Sequence, residues 1–416
     1  MTQDGASGMT QDTLRGVLRL PAQIQVGFGV RAQIPRLLAA HADHVLVIAD
    51  PFLVGTPVFT QMCEAVRAAG VELHVHSEVA PELPVESLTA IAEVAARRGV
   101  GAILAVGGGS ALDAAKLVAV LLTHGGPLSR YYGENLVPGP VLPIIAVPTT
   151  AGTGSEVTPV AVVSDPERGL KIGVSSPHLV PVAAIVDPEL ALGAPASVTA
   201  FAGIDALVHA VESYTAGQLP RDPDEEGELP VFTGRNVLTE ALSLEASGRI
   251  RRWLPVAVST PGHRRARAEM AVASLQAGIA FGPTGTHLSH ALQYPLGALT
   301  KTPHGLGTGL LLPYVLDVLR EDVATAARIE TLGAAMGVTG GAAGVVRSLA
   351  ALNAEIGVPG TLADIGISES QLPTIAELAL DSVRLISICP IPVDHALLVR
   401  ILRSAHAGRL TESALR

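Results

Sequence analysis

Apolar residues recur along this chain in two rhythms, and the change falls near residue 190. Before it, short β-branched runs alternate with amphipathic ones. Strands are predicted at 45–49, 71–76, 102–106 and 143–147, and helices at 57–69, 85–98 and 111–122. Strand–helix alternation of this kind implies a parallel sheet covered by helices on both faces. Runs 158–164 and 170–175, split by a polar Pro/Gly turn, read as an appended β-hairpin, and 183–186 as the last strand. Beyond residue 190 the period becomes helical, at 198–215, 237–253, 265–280, 285–294 and 307–319 and in several segments up to 405. Between the first two of these helices, 217–230 is acidic and proline-punctuated, as a solvated surface loop would be.

Composition narrows the picture. With 416 residues, 48% hydrophobic and 16% charged, the chain is long enough for two domains and too apolar to be largely disordered. Aromatic residues make up only 3%, so Ala, Val, Leu and Ile must build the core. A formal net charge of −10 leaves no basic stripe for nucleic acid. The most apolar stretch, 100–122, is broken by glycines and by Asp113 and Lys116, which excludes a membrane span. Cys63 and Cys389 offer no disulfide framework, and the polar start of the chain lacks an apolar signal core. A cytoplasmic protein is expected, with residues 1–17 as a disordered tail.

Four candidate metal ligands then stand out. Asp205 and His209 lie four apart in a helical run, on one face and one turn apart. His290 sits in a second helical run, and His304 in the turn Thr302-Pro303-His304-Gly305. One carboxylate and three imidazoles suit Fe(II) or Zn(II) and leave room for a substrate oxygen. Any one of these histidines alone would be an ordinary cap or core residue; the set favours a metal.

Two glycine-rich loops lie upstream. Gly107-Gly108-Gly109-Ser110 follows the strand at 102–106 and opens a helix, where free N–H groups favour an anion such as a diphosphate. Ser110 and Asp113 have capping-box spacing, so a capped turn is the plainer alternative. Pro148-Thr149-Thr150-Ala151-Gly152-Thr153-Gly154-Ser155 follows the strand at 143–147 and suits a pocket floor for a flat ligand. Asp50 ends the strand at 44–50, where a carboxylate can bond an adenosine ribose and repel a 2′-phosphate, which predicts NAD over NADP; it is equally a turn former before Pro51.

With these motifs in order, nearly the whole chain, from about residue 21 to 407, resembles the iron-containing (group III) alcohol dehydrogenase family. The resemblance implies a Rossmann-like, dinucleotide-binding α/β domain at 18–190 and an all-helical metal-binding domain at 191–416, with the active site between them. It places the metal on Asp205, His209, His290 and His304. Cofactor contacts fall on Gly108, Gly109, Ser110, Thr149, Thr150, Thr153, Ser155 and Lys171. The implied reaction is metal-assisted hydride transfer between NAD(H) and a small alcohol or aldehyde, by a homodimer or larger homo-oligomer. A glycerol-dehydrogenase-like or dehydroquinate-synthase-like enzyme is the alternative on a related fold, and a non-catalytic ligand-binding relative the alternative of another class. Many family members carry a further histidine one turn after the ligand matching His290; here that position is Tyr294, expected to face the cleft and bond the substrate oxygen or a water, or else to form an aromatic wall. Lys301, near His304, could offer a cation to a carboxylate, phosphonate or sulfonate on an aldehyde, although a solvated loop lysine is the commoner case.

Overall fold

The computed structural model describes residues 16–80, 83–166, 170–219 and 229–411. The expected tail at 1–17 and acidic loop at 217–230 fall largely outside them. Strands β1 (Gln23–Val26), β2 (His44–Ala49), β3 (Glu72–His76), β4 (Ala102–Gly107), β6 (Ile144–Pro148) and β9 (Ala183–Val186) form a six-stranded sheet in the order β1-β9-β6-β4-β2-β3. Every pairing in it is parallel. β5 (Gly133–Glu134), β7 (Val160–Asp165) and β8 (Leu170–Ser175) make a small second sheet, in which β7 and β8 are the antiparallel hairpin the sequence suggested.

Alternation along β2 shows why the large sheet needs two layers of helices. Val45, Val47 and Ala49 pack with α1 (Ile34–Ala39) and α2 (Pro57–Ala68) through Ile34, Leu38, Phe59 and Val66. Leu46 and Ile48 face the other way, against α3 (Val85–Ala96) and α4 (Gly109–His124) through Leu88, Ile91 and Leu112. Successive strand side chains point to opposite faces, so a fully buried strand reads as a continuous apolar run. Strand β1 was not anticipated: its polar pattern Gln-Ile-Gln-Val sits on a sheet edge beside β9 and leaves no apolar run to detect.

The chain passes from β2 outward to β3, then returns to place β4 on the other side of β2. The carboxyl ends of β2 and β4 therefore form a topological switch point, the usual crevice for a ligand in a parallel sheet. Asp50 and the loop Gly107–Gly109 occupy it, with the Asp50 N–H bonded to the Val106 carbonyl at 3.2 Å.

From residue 196 onward the described elements are helical: α5 (Ala196–Thr215), α6 (Glu240–Ser259), α7 (Arg264–Thr284), α8 (Leu288–Thr300), α9 (His304–Leu319), α10 (Val323–Ala335), α11 (Gly341–Glu355), α12 (Leu372–Leu380), α13 (Val383–Ser387) and α14 (His395–Ala407). α5 is buried nearly all round, as its apolar run 203–211 requires. Two expected boundaries are corrected. α8 does not stop at residue 294 but runs through Pro295 to Thr300, because burial of Leu292, Leu296 and Gly297 outweighs the backbone hydrogen bond that proline forfeits. His304 is not in a turn but is the first residue of α9, with the extended Pro303 as its N-cap.

Candidate metal centre and cofactor cleft

α5 presents Asp205 and His209 on one face, α8 brings His290 within 4.8 Å of both, and α9 sets His304 against Asp205 at the edge of this cluster. His209 Nε2 lies 3.8 Å from Asp205 Oδ2, and His290 Nε2 and His304 Nε2 each lie 3.9 Å from Asp205 Oδ1. These separations are too long for good hydrogen bonds and suit ligands around a shared ion. His290 Nε2 is buried with no hydrogen-bond partner, an orphaned atom that a cation would satisfy.

The surrounding groups aim these nitrogens inward. Glu212, fully buried, accepts from His290 Nδ1 at 2.7 Å and from the backbone N–H groups of His287 (2.8 Å) and Ser289 (2.6 Å). His209 Nδ1 donates to the Gly152 carbonyl at 3.3 Å, and the Thr308 hydroxyl donates to Asp205 Oδ1 at 2.7 Å. With each Nδ1–H so engaged, the neutral imidazole keeps Nε2 as its lone-pair donor. Burial pushes His209 and His304 down to about 4 although Asp205 pulls both up, so both are neutral and able to ligate at pH 7. Burial alone would raise Glu212, yet His287, His290 and the Ser289 N–H hold it well below the usual carboxylate range. His287 thus serves the carboxylate behind the ligands, and its Nε2 meets Thr215 Oγ1 at 2.9 Å.

The site opens into a cleft of about 210 Å³ between the two halves of the chain. Of the proposed cofactor residues, Gly109, Ser110, Thr153, Ser155 and Lys171 line it. Thr149 and Thr150 do not; they lie on the other side of their loop, facing α5 and α7. Gly108 lies beside Thr150 and donates its N–H to Asp50 Oδ2 at 2.7 Å, while Gly107 closes against Asp50 and Ala111. No side chain caps α4, so the capping alternative for Ser110 and Asp113 is not realised. Asp113 instead accepts from the Ser155 hydroxyl at 2.5 Å and the Val162 N–H at 3.0 Å. Next to it, the buried Lys116 ammonium donates to Ser155 Oγ, the Thr158 hydroxyl and the Thr158 and Val160 carbonyls at 2.8–3.2 Å, tying α4 to the second loop.

Tyr294 lines the cleft as its spacing from His290 predicts, with its ring stacked on His304 at 6.2 Å. Burial raises its phenol above the ordinary value, so without a cation beside it the hydroxyl is a neutral donor. Lys301 is the exposed C-cap of α8, in left-handed backbone at φ 57°, and is not among the residues lining the cleft, as a solvated lysine would be placed. Groups the sequence did not single out also line the cleft, among them Phe281, stacked on His209 at 4.1 Å, and Arg384 from α13. Glu212 was detectable in principle, three residues after His209 in the same apolar run. Arg384 lies 80 residues beyond His304 in sequence and carries no local signal.

Comparison with known proteins agrees with this geometry. Residues 21–188 match the family model for iron-containing alcohol dehydrogenase, and residues 231–406 that for the C-terminal region of the Fe-containing alcohol dehydrogenase family. The chain is 36% identical over 402 residues to long-chain-alcohol dehydrogenase 1 of Geobacillus thermodenitrificans, covering 94% of this chain and 97% of that protein. It is 31% identical over 370 residues to the NAD-dependent methanol dehydrogenase of Bacillus methanolicus, covering 88% and 93%. A crystal structure of 1,3-propanediol oxidoreductase superposes with a TM-score of 0.86 at 30% identity, covering 94% of this chain and all of that one. A parallel-sheet domain and a helical domain that converge on one carboxylate and three imidazoles, matched by family models in both halves, lead to one conclusion: the chain belongs to the iron-containing alcohol dehydrogenase family.

Proposed function

We propose that the protein is a metal-dependent, NAD(H)-linked oxidoreductase that interconverts a small primary or secondary alcohol and its aldehyde or ketone. The observation that carries this is the convergence of Asp205, His209, His290 and His304 on a cleft that also receives the uncapped start of α4. Those four residues would hold Fe(II) or Zn(II), since the donor set accepts either. When bound, the ion supplies Lewis acidity toward the substrate oxygen, and the nicotinamide supplies or accepts the hydride.

The chain's own residues do the rest. Gly109 and Ser110 offer the helix start to the diphosphate, and Asp50 stands at the switch point where an adenosine ribose would lie. Its carboxylate disfavours a 2′-phosphate, so NAD(H) is the preferred cofactor. Phe232, Phe281, Val160 and Val162 exclude water from the reacting centre. The Tyr294 hydroxyl would hold a proton at the substrate oxygen, the alternative being that its ring only shapes the cleft. Protein loaded with Fe(II) or Zn(II) should reduce small aldehydes with NADH and oxidise the matching alcohols with NAD, using NADP(H) less well. If metal-replete protein turned over no alcohol or aldehyde with either cofactor, the reading would fail.

A further inference from the structure

The cleft contains a guanidinium, Arg384, for which the described residues supply no carboxylate partner. Arg384 reaches it from α13 and shares it with Tyr294, His304 and Phe232. Its guanidinium carbon sits over the Phe232 ring, 4.2 Å from the centroid, a cation–π contact that uses the ring face and none of the N–H donors. Among the described residues no carboxylate pairs with it. The carboxylates of this region are committed elsewhere: Asp113 to Ser155 and Val162, Asp205 to Thr308 and the imidazoles, Glu212 to His287, Ser289 and His290. A half-buried charge without a partner is unfavourable unless something arrives to pair with it.

We infer that Arg384 is a specificity-determining residue that receives an anionic group, so that the substrate is a short alcohol or aldehyde carrying a carboxylate, sulfonate or phosphonate. The inference rests on the dehydrogenase reading above. A planar guanidinium with free edge donors matches two oxygens of such a group, and charge-assisted pairs are the strong ones. Arg384 and His304 line the same cleft, so a short chain would link an anionic group at one to a hydroxyl or carbonyl at the other. The apolar walls at Leu83, Val160 and Phe281 suit that short methylene linker.

The test compares each anionic substrate with its neutral counterpart: 4-hydroxybutanoate with butan-1-ol, and 3-hydroxypropanesulfonate with propan-1-ol, with NAD and metal-loaded protein. Wild type should favour the anionic member in kcat/KM by at least ~10-fold. Arg384→Gln should collapse that ratio mainly through KM, and Arg384→Lys should retain part of it. Equal preference in wild type, or a ratio unchanged in Arg384→Gln, would overturn the inference; so would an equal loss for both members with a raised KM for NAD, which would assign Arg384 to the cofactor. If no alcohol is turned over, the dehydrogenase reading fails and the subsite is judged by calorimetry with butanoate and propane-1-sulfonate. Tighter binding to wild type than to Arg384→Gln supports the subsite, and equal or absent binding overturns it.

Discussion

A single carboxylate behind the ligands shows how much of this site depends on residues that would never touch the metal. Glu212 bonds His290 Nδ1 and two backbone N–H groups, fixing both the tautomer of that imidazole and the entry of α8. Glu212→Gln keeps the shape and removes the charge. We expect metal affinity in a chelator-competition titration to fall by about 10–100-fold; an unchanged affinity would exclude this supporting role. Removing a ligand should do more: His209→Ala or His304→Ala is expected to abolish metal retention and nearly all turnover in a protein that remains folded, and a full metal complement in both variants would refute the assignment. Tyr294 poses a finer question, because a neutral phenol stacked on His304 can be a proton donor or a wall. Tyr294→Phe deletes only the hydroxyl. A donor role requires kcat to drop at least ~10-fold with an altered pH profile, whereas unchanged kinetics leave the ring as shape alone.

Helix placement rests on glycines where two backbones meet. Gly154 is in left-handed backbone at φ 63°, and a β-carbon there would lie 2.5 Å from Gly278 Cα on α7, so this contact joins the second loop to the helical half. At the start of α9, a β-carbon on Gly305 would collide with the Phe201 carbonyl oxygen and come within 2.9 Å of Asp205 Cβ. Both obstacles lie on the α5 segment that carries the proposed ligand Asp205, and the carbonyl cannot swing aside as a flexible side chain could. Gly305→Ala should therefore lower stability by about 1–3 kcal/mol and also reduce metal occupancy, by driving His304 away from Asp205. Gly193→Ala, which meets nothing within 4 Å, is the matched control and should change stability by less than about 0.5 kcal/mol. Equal melting temperatures and metal contents in the two variants would contradict this account of the α5–α9 contact.

Over the whole molecule, the seam between the two halves carries buried charge as well as glycine contacts. Burial raises Glu156 to about 7, against the pull of Lys116, while burial lowers Lys116 to about 8. Four acceptors around the ammonium favour its charged form. For Glu156 the folded value exceeds the unfolded one, so the folded state holds its proton more tightly. The stability this contributes is complete below about pH 4.5 and is lost as pH rises through about 7. Between pH 6 and pH 8 the loss is on the order of 1 kcal/mol. Urea melts of the metal-free protein should show it, and Glu156→Gln should flatten it; an identical pH slope in the variant would remove Glu156 as the cause. Local pattern alone determined the apolar strands of the large parallel sheet, the helical second half and the Asp205/His209 pair. Each depends on a periodicity or a spacing within one element, and the continuous apolar strands and the i,i+4 pair on α5 needed no distant partner to be seen. Only tertiary structure decided where β1 pairs, that α8 survives Pro295, that Asp113 bonds the second loop instead of capping α4, and that Arg384 enters the cleft. Those outcomes depend on which surfaces of distant segments bury one another, and no window along the chain contains that information.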